Sequence, residues 1–410
     1  MAQGTGTAHT RTSHKRTAAA AGTKAQKRTR RTESLGEVRY FDYALLFLVV
    51  FLVAFGLIML YSTSSYIAQT KFGDAAYYVK NQLRSSLVGF VLMIIGMFFP
   101  YRWWKKLVIP IYLLALGLNI LVVVSGNTYG GSTRWLSIGG FSFQPSEASK
   151  VAMIVVVAAL IAKAPEALKK NWNLFKIILA VLPVFALIAY SNLSTGIIIL
   201  GIVFIMLFVA HPRYKEFVGL IVLGAAGIAV FLVTASYRLT RIQVWLHPED
   251  YPDNAYQTLQ GLYAIGSGGL FGKGLGNSIQ KLVVPEPEND MIFTIICEEL
   301  GLIGGICVIM LFVLMCWRFL VIANNAQDLF GSMLVIGVMA HIAIQTILNI
   351  AVVTNSIPNT GVVLPFISYG GTSVCFLLAE IGIVLSVSRG IRIREPRTST
   401  QLQNGKEQKS

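Results

Sequence analysis

Residues 43–62 read YALLFLVVFLVAFGLIMLYS and carry no charged side chain. A helix rises about 1.5 Å per residue, so a run of this length spans the roughly 30 Å hydrocarbon core of a bilayer. No water reaches the backbone there, and a helix satisfies its own N–H and C=O groups. The segment therefore predicts a transmembrane helix.

Comparable apolar runs recur along most of the chain. The composition agrees, because 55% of the residues are hydrophobic and 13% are Asp, Glu, Lys or Arg, against about 25% charged residues in soluble domains. The short alternating strands of a membrane barrel are not seen in the sequence. The pattern predicts an all-α polytopic integral membrane protein with about ten transmembrane helices. Besides 43–62, these are 84–100, 107–124, 147–163, 174–190, 194–211, 217–235, 295–317, 329–354 and 363–388.

The distribution of basic residues predicts the orientation. With the amino terminus in the cytoplasm, 25 of the 34 Lys and Arg residues fall on the cytoplasmic side, as the positive-inside rule requires. Both termini are then cytoplasmic. Residues 1–42 read as a disordered basic arm that faces anionic lipids, with a nucleic-acid-binding tail as the alternative. Residues 43–390 form the membrane domain, and 391–410 a cytoplasmic tail.

The longest external connection, 236–294, ends in an acidic segment. Pro285-Glu286-Pro287-Glu288-Asn289-Asp290 stands immediately before an apolar helix. The two prolines restrict where the carboxylates point, and partial burial at the membrane boundary can raise the pKa of Asp290 toward a catalytically useful range. The alternative is structural, with Asn289 or Asp290 capping the helix.

Several other charges lie inside predicted helices, where an unpaired charge is costly. Glu147 and Lys150 are three residues apart, so they share a helix face and can pair, either for function or as a structural ion pair. Glu298 and Glu299 open the eighth predicted helix, where carboxylates favour the amino-terminal end. Glu380 lies deep in the tenth.

Two external basic residues suggest an anion site. Lys273 lies in Gly272-Lys273-Gly274-Leu275-Gly276, where glycines let backbone amides approach an anion. Arg134, beside Trp135, is either a phosphate clamp or an interfacial anchor. With the nearby carboxylates, these residues predict an external site for an anionic, membrane-borne ligand.

Four motifs, in order along 43–390, make the chain resemble the shape, elongation, division and sporulation family, which includes FtsW, RodA and SpoVE. The strongest match runs from Asn349 to Ser373 and ends LPFISYGGTS, followed by IGSGGLFGKGLG within 264–281. Gln144-Pro-Ser-Glu147 with Lys150 is the third. The fourth is Asp290-Met-Ile-Phe with Glu298-Glu-Leu-Gly. The basic arm and the last signature lean toward the division members, with the other two branches left open.

The resemblance implies a peptidoglycan glycosyltransferase that polymerises lipid II at the outer face of the bacterial cytoplasmic membrane. The 4-hydroxyl of an acceptor sugar attacks the donor's anomeric carbon, undecaprenyl diphosphate leaves, and the anomeric centre inverts. Asp290 matches the family's essential aspartate and would be the general base, or a metal-assisted orienter of the acceptor hydroxyl. Arg134, Lys150 and Lys273, with Mg²⁺ or Mn²⁺, would stabilise the diphosphate, and no organic cofactor is expected.

Further substrate contacts and partners also follow from the resemblance. The substrate contacts are Glu147, Glu288, Ser368 and Gly370. The expected partners are a class B penicillin-binding protein, other division proteins and membrane lipids, with no nucleic acid. A lipid II flippase and a scaffold that recruits the transpeptidase remain as alternatives, and neither requires Asp290 at the outer boundary.

The chain also departs from the family pattern. Asn192 stands where the family has aspartate, and Glu288 where histidine is expected. Asn355, Ser356 and Asn359 differ within the last signature. These departures concern substrate detail more than reaction class.

Overall fold

The computed structural model describes residues 37–129, 132–138, 141–163, 171–211 and 236–394, with isolated residues between 217 and 227. Phe41–Ile391 form one compact unit, and the two ends of the chain form another. Most of the predicted helix 217–235, residues 1–36 of the basic arm and residues 395–410 of the tail lie outside the described residues.

Long helices account for most of the described chain. Their bounds are α1 Tyr43–Phe72, α2 Tyr77–Phe98, α3 Val108–Ser125, α4 Pro145–Lys163, α5 Asn171–Ser191, α6 Leu193–Ala210, α7 Ser236–Leu246, α8 Pro252–Ser267, α9 Ile292–Asn324, α10 Leu329–Val353 and α11 Gly371–Gly390. Within the described residues, eight of these helices are long and apolar enough to cross a membrane. The part of α5 from Phe175 to Ser191 is a shorter apolar helix. The prediction of a polytopic helical membrane protein is confirmed.

Several predicted helix starts were wrong. The helix expected from 84 begins at Tyr77. The helix expected from 363 begins at Gly371, because Pro365 and the glycines at 370 and 371 favour a turn there. The helix expected from 295 begins at Ile292. Glu298 and Glu299 therefore lie inside α9 and do not cap its amino-terminal end.

A glycine interrupts α9 after those two carboxylates. Gly301 has φ 72° and ψ −173°, a conformation that favours glycine. The loop after α8 packs against this break, since Leu302 and Ile303 donate backbone hydrogen bonds to Gly269 and Leu270. The break in α9 therefore gives the loop after α8 backbone groups to pair with.

Two connections that the charge distribution assigns to the outer side are structured. Three short antiparallel strands, β2 Asn127–Tyr129, β3 Ser132–Ile138 and β4 Phe141–Phe143, join α3 to α4. Thr372 Oγ1 donates to the carbonyl of Ser142 at 3.0 Å, which ties the strands to the start of α11. The long connection holds α7 and α8, and α8 packs on α9.

One end of the bundle collects cytoplasm-assigned residues. Arg318 Nη2 lies 2.6 Å from Asp42 Oδ2, and the Asp42 backbone N–H donates to Ser388 Oγ. Arg102 Nε lies 3.0 Å from Asp328 Oδ2. These contacts place the start of α1 beside the ends of α9 and α11, and the α2–α3 connection beside the start of α10. All of these segments are ones that the charge distribution assigns to the cytoplasmic side.

The chain's two ends pair in their own unit. A strand β1, Glu37–Arg39, runs antiparallel to β5, Arg392–Arg394. The last residues of the predicted disordered arm are therefore a strand. The pairing places the two ends side by side.

Helices α2 and α11 approach closely because glycines line their contact. A Cβ on Gly382 would collide with the backbone of Met93, and one on Gly96 would lie 3.3 Å from the Gly382 Cα. Small residues let membrane helices pack where lipid provides no hydrophobic drive. This contact holds α11, and hence the turn that precedes it, against the bundle.

Replacing Gly382 by alanine should destabilise the bundle, because the α2 backbone has to move away from the added methyl group. We expect a loss of about 1–3 kcal/mol, typical of overpacking, seen as a lower Tm of the detergent-solubilised protein. Gly117→Ala in α3 is the matched control. A Cβ there meets nothing within 4 Å, and alanine favours the helix by up to about 1 kcal/mol. Equal Tm values for both variants would contradict the close-packing assignment.

Candidate functional site

Asp290 lies where the long connection enters α9. Asp290 is 8% exposed, and its backbone carbonyl accepts a hydrogen bond of 2.7 Å from Asn349 Nδ2 of α10. The capping alternative is wrong, because the N-cap is Met291 and makes no side-chain cap hydrogen bond. Asn289 Nδ2 instead donates to Glu286 Oε2. The Asp290 carboxylate is therefore free of a helix-capping role.

Three polar side chains of α10 organise the backbone around Asp290. His341, Gln345 and Asn349 follow one another at intervals of four, so they share one helix face, and all three are buried. Gln345 Nε2 donates to the Val363 carbonyl at 3.0 Å, and Asn349 Nδ2 to the Val362 carbonyl at 2.8 Å. This face therefore holds both the segment after α10 and the Asp290 backbone.

The predicted Glu147–Lys150 pair is present and belongs to a larger buried network. Lys150 Nζ lies 2.9 Å from Glu147 Oε1 and 3.1 Å from Gln345 Oε1. Gln345 Oε1 also contacts His341 Nε2 at 3.0 Å, and His341 Nδ1 lies 2.8 Å from Glu380 Oε2. The network joins α4, α10 and α11 in the interior.

Each buried ionisable residue of this network faces an ionisable partner of the opposite kind. Lys150 pairs with Glu147, and His341 pairs with Glu380. Gln345 Oε1, which can only accept, lies between the two pairs. Neutral pairs are the form in which ionisable residues are tolerated at membrane depth.

The Asp290 carboxylate faces α8 and the segment after α10. Gln257 Nε2 donates to Asp290 Oδ1 at 3.4 Å, and Asn359 Nδ2 donates to Gln257 Oε1 at 2.8 Å. Gly361 has φ 65°, and a Cβ there would lie 3.9 Å from Asp290 Oδ2. One carboxylate oxygen is therefore oriented by an amide, and the other lies beside a residue without a side chain.

Burial raises the pKa of Asp290 from its usual 3.8 to about 6, and the Glu286 and Glu288 carboxylates add to the rise. The hydrogen bond from Gln257 opposes it. Burial also raises the pKa of Glu288, while Tyr78 and Lys71 act in the opposite direction. Asp290 is thus a stronger base than an exposed aspartate yet mostly ionised at neutral pH.

Glu288, Ser368 and Gly370 meet at the turn before α11. The Glu288 carbonyl accepts from Tyr369 N at 2.9 Å, and Gln82 of α2 accepts from Gly370 N and donates to the Ser368 carbonyl. Ser368 Oγ accepts from Leu364 N at 2.8 Å, so this hydroxyl supports the turn. The turn before α11 is thus joined to the loop that carries Glu288 and Asp290, and the substrate role of Glu288, Ser368 and Gly370 stays a prediction.

The glycine-rich segment around Lys273 is clamped to α9. Lys273 Nζ lies 2.6 Å from Glu298 Oε1, and the same carboxylate accepts from Ser278 Oγ and the backbone N–H groups of Ile279 and Gln280. A Cβ on Gly272 would strike the Glu299 carbonyl. The glycines therefore allow close packing on the helix break, and Lys273 has a carboxylate partner within the protein.

Arg134 and Asn192 lie close together at the end of α5. Arg134 Nε, on β3, lies 3.4 Å from the Ser191 carbonyl. Asn192 caps α6, since its side chain accepts from Thr195 N at 3.3 Å. An aspartate makes the same cap, so the departure at 192 preserves the local structure.

The described residues contain no group of three or more His, Cys, Asp or Glu side chains arranged to hold a metal ion. Asp290 is a single carboxylate whose Oδ1 already faces the Gln257 amide. These residues do not form a resident metal centre. The expectation of Mg²⁺ or Mn²⁺ therefore remains a prediction.

Several residues of the site were missed from the sequence alone. Gln257, Gln345 and Asn349 are uncharged, and His341 lies in an apolar run, so none stood out by charge. The spacing of His341, Gln345 and Asn349 at intervals of four is a signal that could have identified the polar face of α10. Lys71 lies in the last turn of α1, beyond the predicted end of that helix.

Comparison with known proteins matches the chain along its membrane domain. A family model described as a cell cycle protein family, FtsW, RodA and SpoVE, covers residues 43–393. Stage V sporulation protein E of Bacillus subtilis (strain 168) is 40% identical over 85% of this chain and 97% of its own length. A protein named probable peptidoglycan glycosyltransferase FtsW, from Geobacter sp. (strain M18), is 36% identical over 87% and 98%.

Solved structures agree. A chain from a structure described as a peptidoglycan synthase complex that coordinates polymerisation and crosslinking aligns with a TM-score of 0.72. It is 26% identical and covers 85% of this chain and 98% of its own length. The rod shape determining protein RodA of Thermus thermophilus aligns with a TM-score of 0.64, at 26% identity over 87% and 98%. The chain belongs to the FtsW, RodA and SpoVE family of cell cycle proteins.

Proposed function

We propose that this protein is a peptidoglycan glycosyltransferase that joins lipid II units into glycan strands, with Asp290 as its general base. The observation that carries the proposal is the Asp290 carboxylate itself. It is buried, aligned by the Gln257 amide, and its pKa is raised to about 6. Relatives named peptidoglycan glycosyltransferases, with similar length and coverage, support the same activity.

The reaction follows from this carboxylate. Asp290 accepts the proton of the acceptor sugar's 4-hydroxyl as its oxygen bonds to the donor's anomeric carbon. The bond from that carbon to the diphosphate oxygen breaks, the undecaprenyl diphosphate takes the bonding electrons, and the configuration inverts. A pKa near 6 lets Asp290 take the proton and release it to solvent at neutral pH.

Buried polar atoms around Asp290 support binding of a sugar. Glu288 Oε2, Asn349 Oδ1 and Thr360 Oγ1 are enclosed and have no hydrogen-bond partner among the described residues. Buried polar atoms are normally paired, so these oxygens fit the hydroxyl and amide donors of an amino sugar. Of these three residues, we assign Glu288 to the acceptor.

The departing diphosphate needs positive charge. Arg134, Lys150 and Lys273 each contact protein oxygens, so we assign them to shaping the site unless substrate displaces those contacts. Lys71, which acts on Glu288, is a more exposed cation at the same end of the bundle. We propose that Mg²⁺ or Mn²⁺ takes part as the counter-ion of the diphosphate, since Mg²⁺ commonly binds through substrate phosphates.

The flippase alternative is less well supported. It requires substrate-facing charges along the middle of several helices. In the described helices, Glu147, Lys150 and Glu380 are buried, and all of them pair inside the bundle. We further propose that Asp290 lies at the outer face of the cytoplasmic membrane, because the opposite end collects the basic connections.

A transpeptidase partner is the second part of the proposal. The similar solved chain comes from a complex described as coordinating polymerisation and crosslinking. We propose that this chain works beside a class B penicillin-binding protein, with polymer made here passed to it for crosslinking. Other division proteins and membrane lipids complete the proposed surroundings.

The decisive variant is Asp290→Asn. We expect it to fold and to abolish formation of glycan ladders from labelled lipid II, because an amide cannot accept the hydroxyl proton. The assay uses purified protein alone and with a cognate class B penicillin-binding protein, at several concentrations of Mg²⁺ or Mn²⁺. Asp253→Asn, an exposed acid in the first turn of α8, is the control and should retain the ladders. Undiminished polymerisation by Asp290→Asn would refute the role of Asp290. No ladders from folded wild-type protein would favour transport or scaffolding.

Asp290→Asn should also be more stable than the wild type at high pH. The folded-state pKa of Asp290, about 6, lies above the usual 3.8, so the folded state binds the proton more tightly than the unfolded state. Wild-type stability therefore falls as pH rises from about 4 to 6 and is then constant. The difference between the two pKa values corresponds to about 3 kcal/mol of folding stability that the wild type loses. The variant does not lose this stability, because its amide does not ionise. We expect the Tm advantage of the variant to be large at pH 8 and small at pH 4. The same advantage at both pH values would show that burial does not perturb this carboxyl.

A further inference from the structure

A directed chain of hydrogen bonds leads from the segment after α10 to Asp290. Gly361 N donates to Asn359 Oδ1 at 3.1 Å, and Asn359 Nδ2 donates to Gln257 Oε1 at 2.8 Å. Gln257 Nε2 carries two hydrogens. One points to Asp290 Oδ1 at 3.4 Å and the other to the Pro285 carbonyl at 3.3 Å. Two side-chain amides thus separate a backbone donor from the carboxylate.

Both ends of this chain have a fixed role. A backbone N–H can only donate, and an ionised carboxylate can only accept. Asn359 must therefore present its oxygen to Gly361 and its NH₂ group to Gln257. Gln257 must then present its oxygen to Asn359 and its NH₂ group to Asp290. Turning either amide over would place two donors or two acceptors face to face at one of these contacts.

We propose that Asn359 is a positioning residue for the glycosyl transfer, acting through Gln257 to hold an N–H group against Asp290 Oδ1. This arrangement leaves Oδ2, which lies on the Gly361 side, for the acceptor hydroxyl. A carboxylate that is free to rotate would seldom place a lone pair in line with that hydroxyl. Small losses of alignment at a catalytic group are costly, by about a hundredfold for a displacement near 1 Å.

The charges around Asp290 make this alignment necessary. Glu286 and Glu288 raise its pKa, and the Gln257 amide opposes that effect. Without the amide, the hydrogen bond that opposes the effect of these two carboxylates would be lost. Asn359 is also one of the positions that departs from the family pattern, so this chain sets the orientation of Gln257 in a way that the shared motif does not specify.

The inference rests on the proposed role of Asp290, and an isosteric variant tests it. Asn359→Asp keeps the acceptor for Gly361 but removes the NH₂ group. Gln257 then faces a carboxylate at both ends and has to present its oxygen to one of them. We expect kcat for lipid II polymerisation to fall by about 10- to 100-fold with KM nearly unchanged. Asn355→Asp is the matched control, because it adds the same charge to the same connection outside this chain of hydrogen bonds.

A second background separates orientation from simple charge repulsion. In Gln257→Leu, the amide that links 359 to 290 is gone, so adding Asn359→Asp should have little further effect on kcat. An equally large further loss there, or an equal loss in Asn355→Asp, would overturn the proposal. The same four proteins, namely the wild type, the two single variants and the double variant, can also be compared by their Tm at pH 8, a measurement that does not depend on activity. Asn359→Asp should lower Tm in the wild-type background and much less in Gln257→Leu.

These outcomes also separate the two proposals. Polymerisation by Asp290→Asn would refute the general base while the Tm cycle still tests the link between 359 and 257. An inactive Asp290→Asn with additive effects of the 359 and 257 substitutions would keep the base and reject the positioning role.

Discussion

The site depends on the hydrogen bonds that Asn349 donates from inside α10 to the carbonyls of Asp290 and Val362. These two carbonyls belong to segments 59 and 13 residues away in sequence, so one amide joins the entrance of α9 to the turn that precedes α11. A backbone carbonyl buried without a partner is costly. The amide removes that cost only when both segments are in place. Gln345, one turn earlier, repeats the arrangement at Val363.

Strain in the surrounding backbone agrees with this view. Among the described residues, positive φ values outside glycine occur at Glu286, Asn355 and Phe366, and all three lie in the segments around Asp290. Such conformations persist where neighbouring contacts over-determine them. Gly56 of α1 contributes to one of them, since a Cβ there would lie 2.7 Å from the Phe366 carbonyl. The turn before α11 therefore fits only against a helix that lacks a side chain at that point.

The buried charged residues also hold the backbone around Asp290 in place. Glu298 and Glu299 looked like helix caps in the sequence, yet they anchor the glycine-rich segment, Ser62 and Lys281. The Glu147–Lys150 and His341–Glu380 pairs are linked through Gln345, which also holds the Val363 carbonyl. Charges that a membrane protein tolerates in pairs thus stiffen the frame around the acidic segment that carries Asp290.

The amino-acid sequence was enough to predict a bundle of membrane helices, because long uncharged runs have one stable form in lipid. It also identified Asp290, Glu288 and the Glu147–Lys150 pair, since charge beside an apolar run is visible without coordinates. The helix starts at Ile292 and Gly371 were missed, and the break at Gly301 was not predicted, because a glycine in an apolar run breaks the helix only where another segment packs against it. The pairing of Lys273 with Glu298, and the placement of Gln257, Asn349 and Asn359 around Asp290, emerged only from the folded chain. The spacing of polar residues along α10 marks a helix face, but the role of each amide follows from which carbonyl or carboxylate folding brings within about 3 Å.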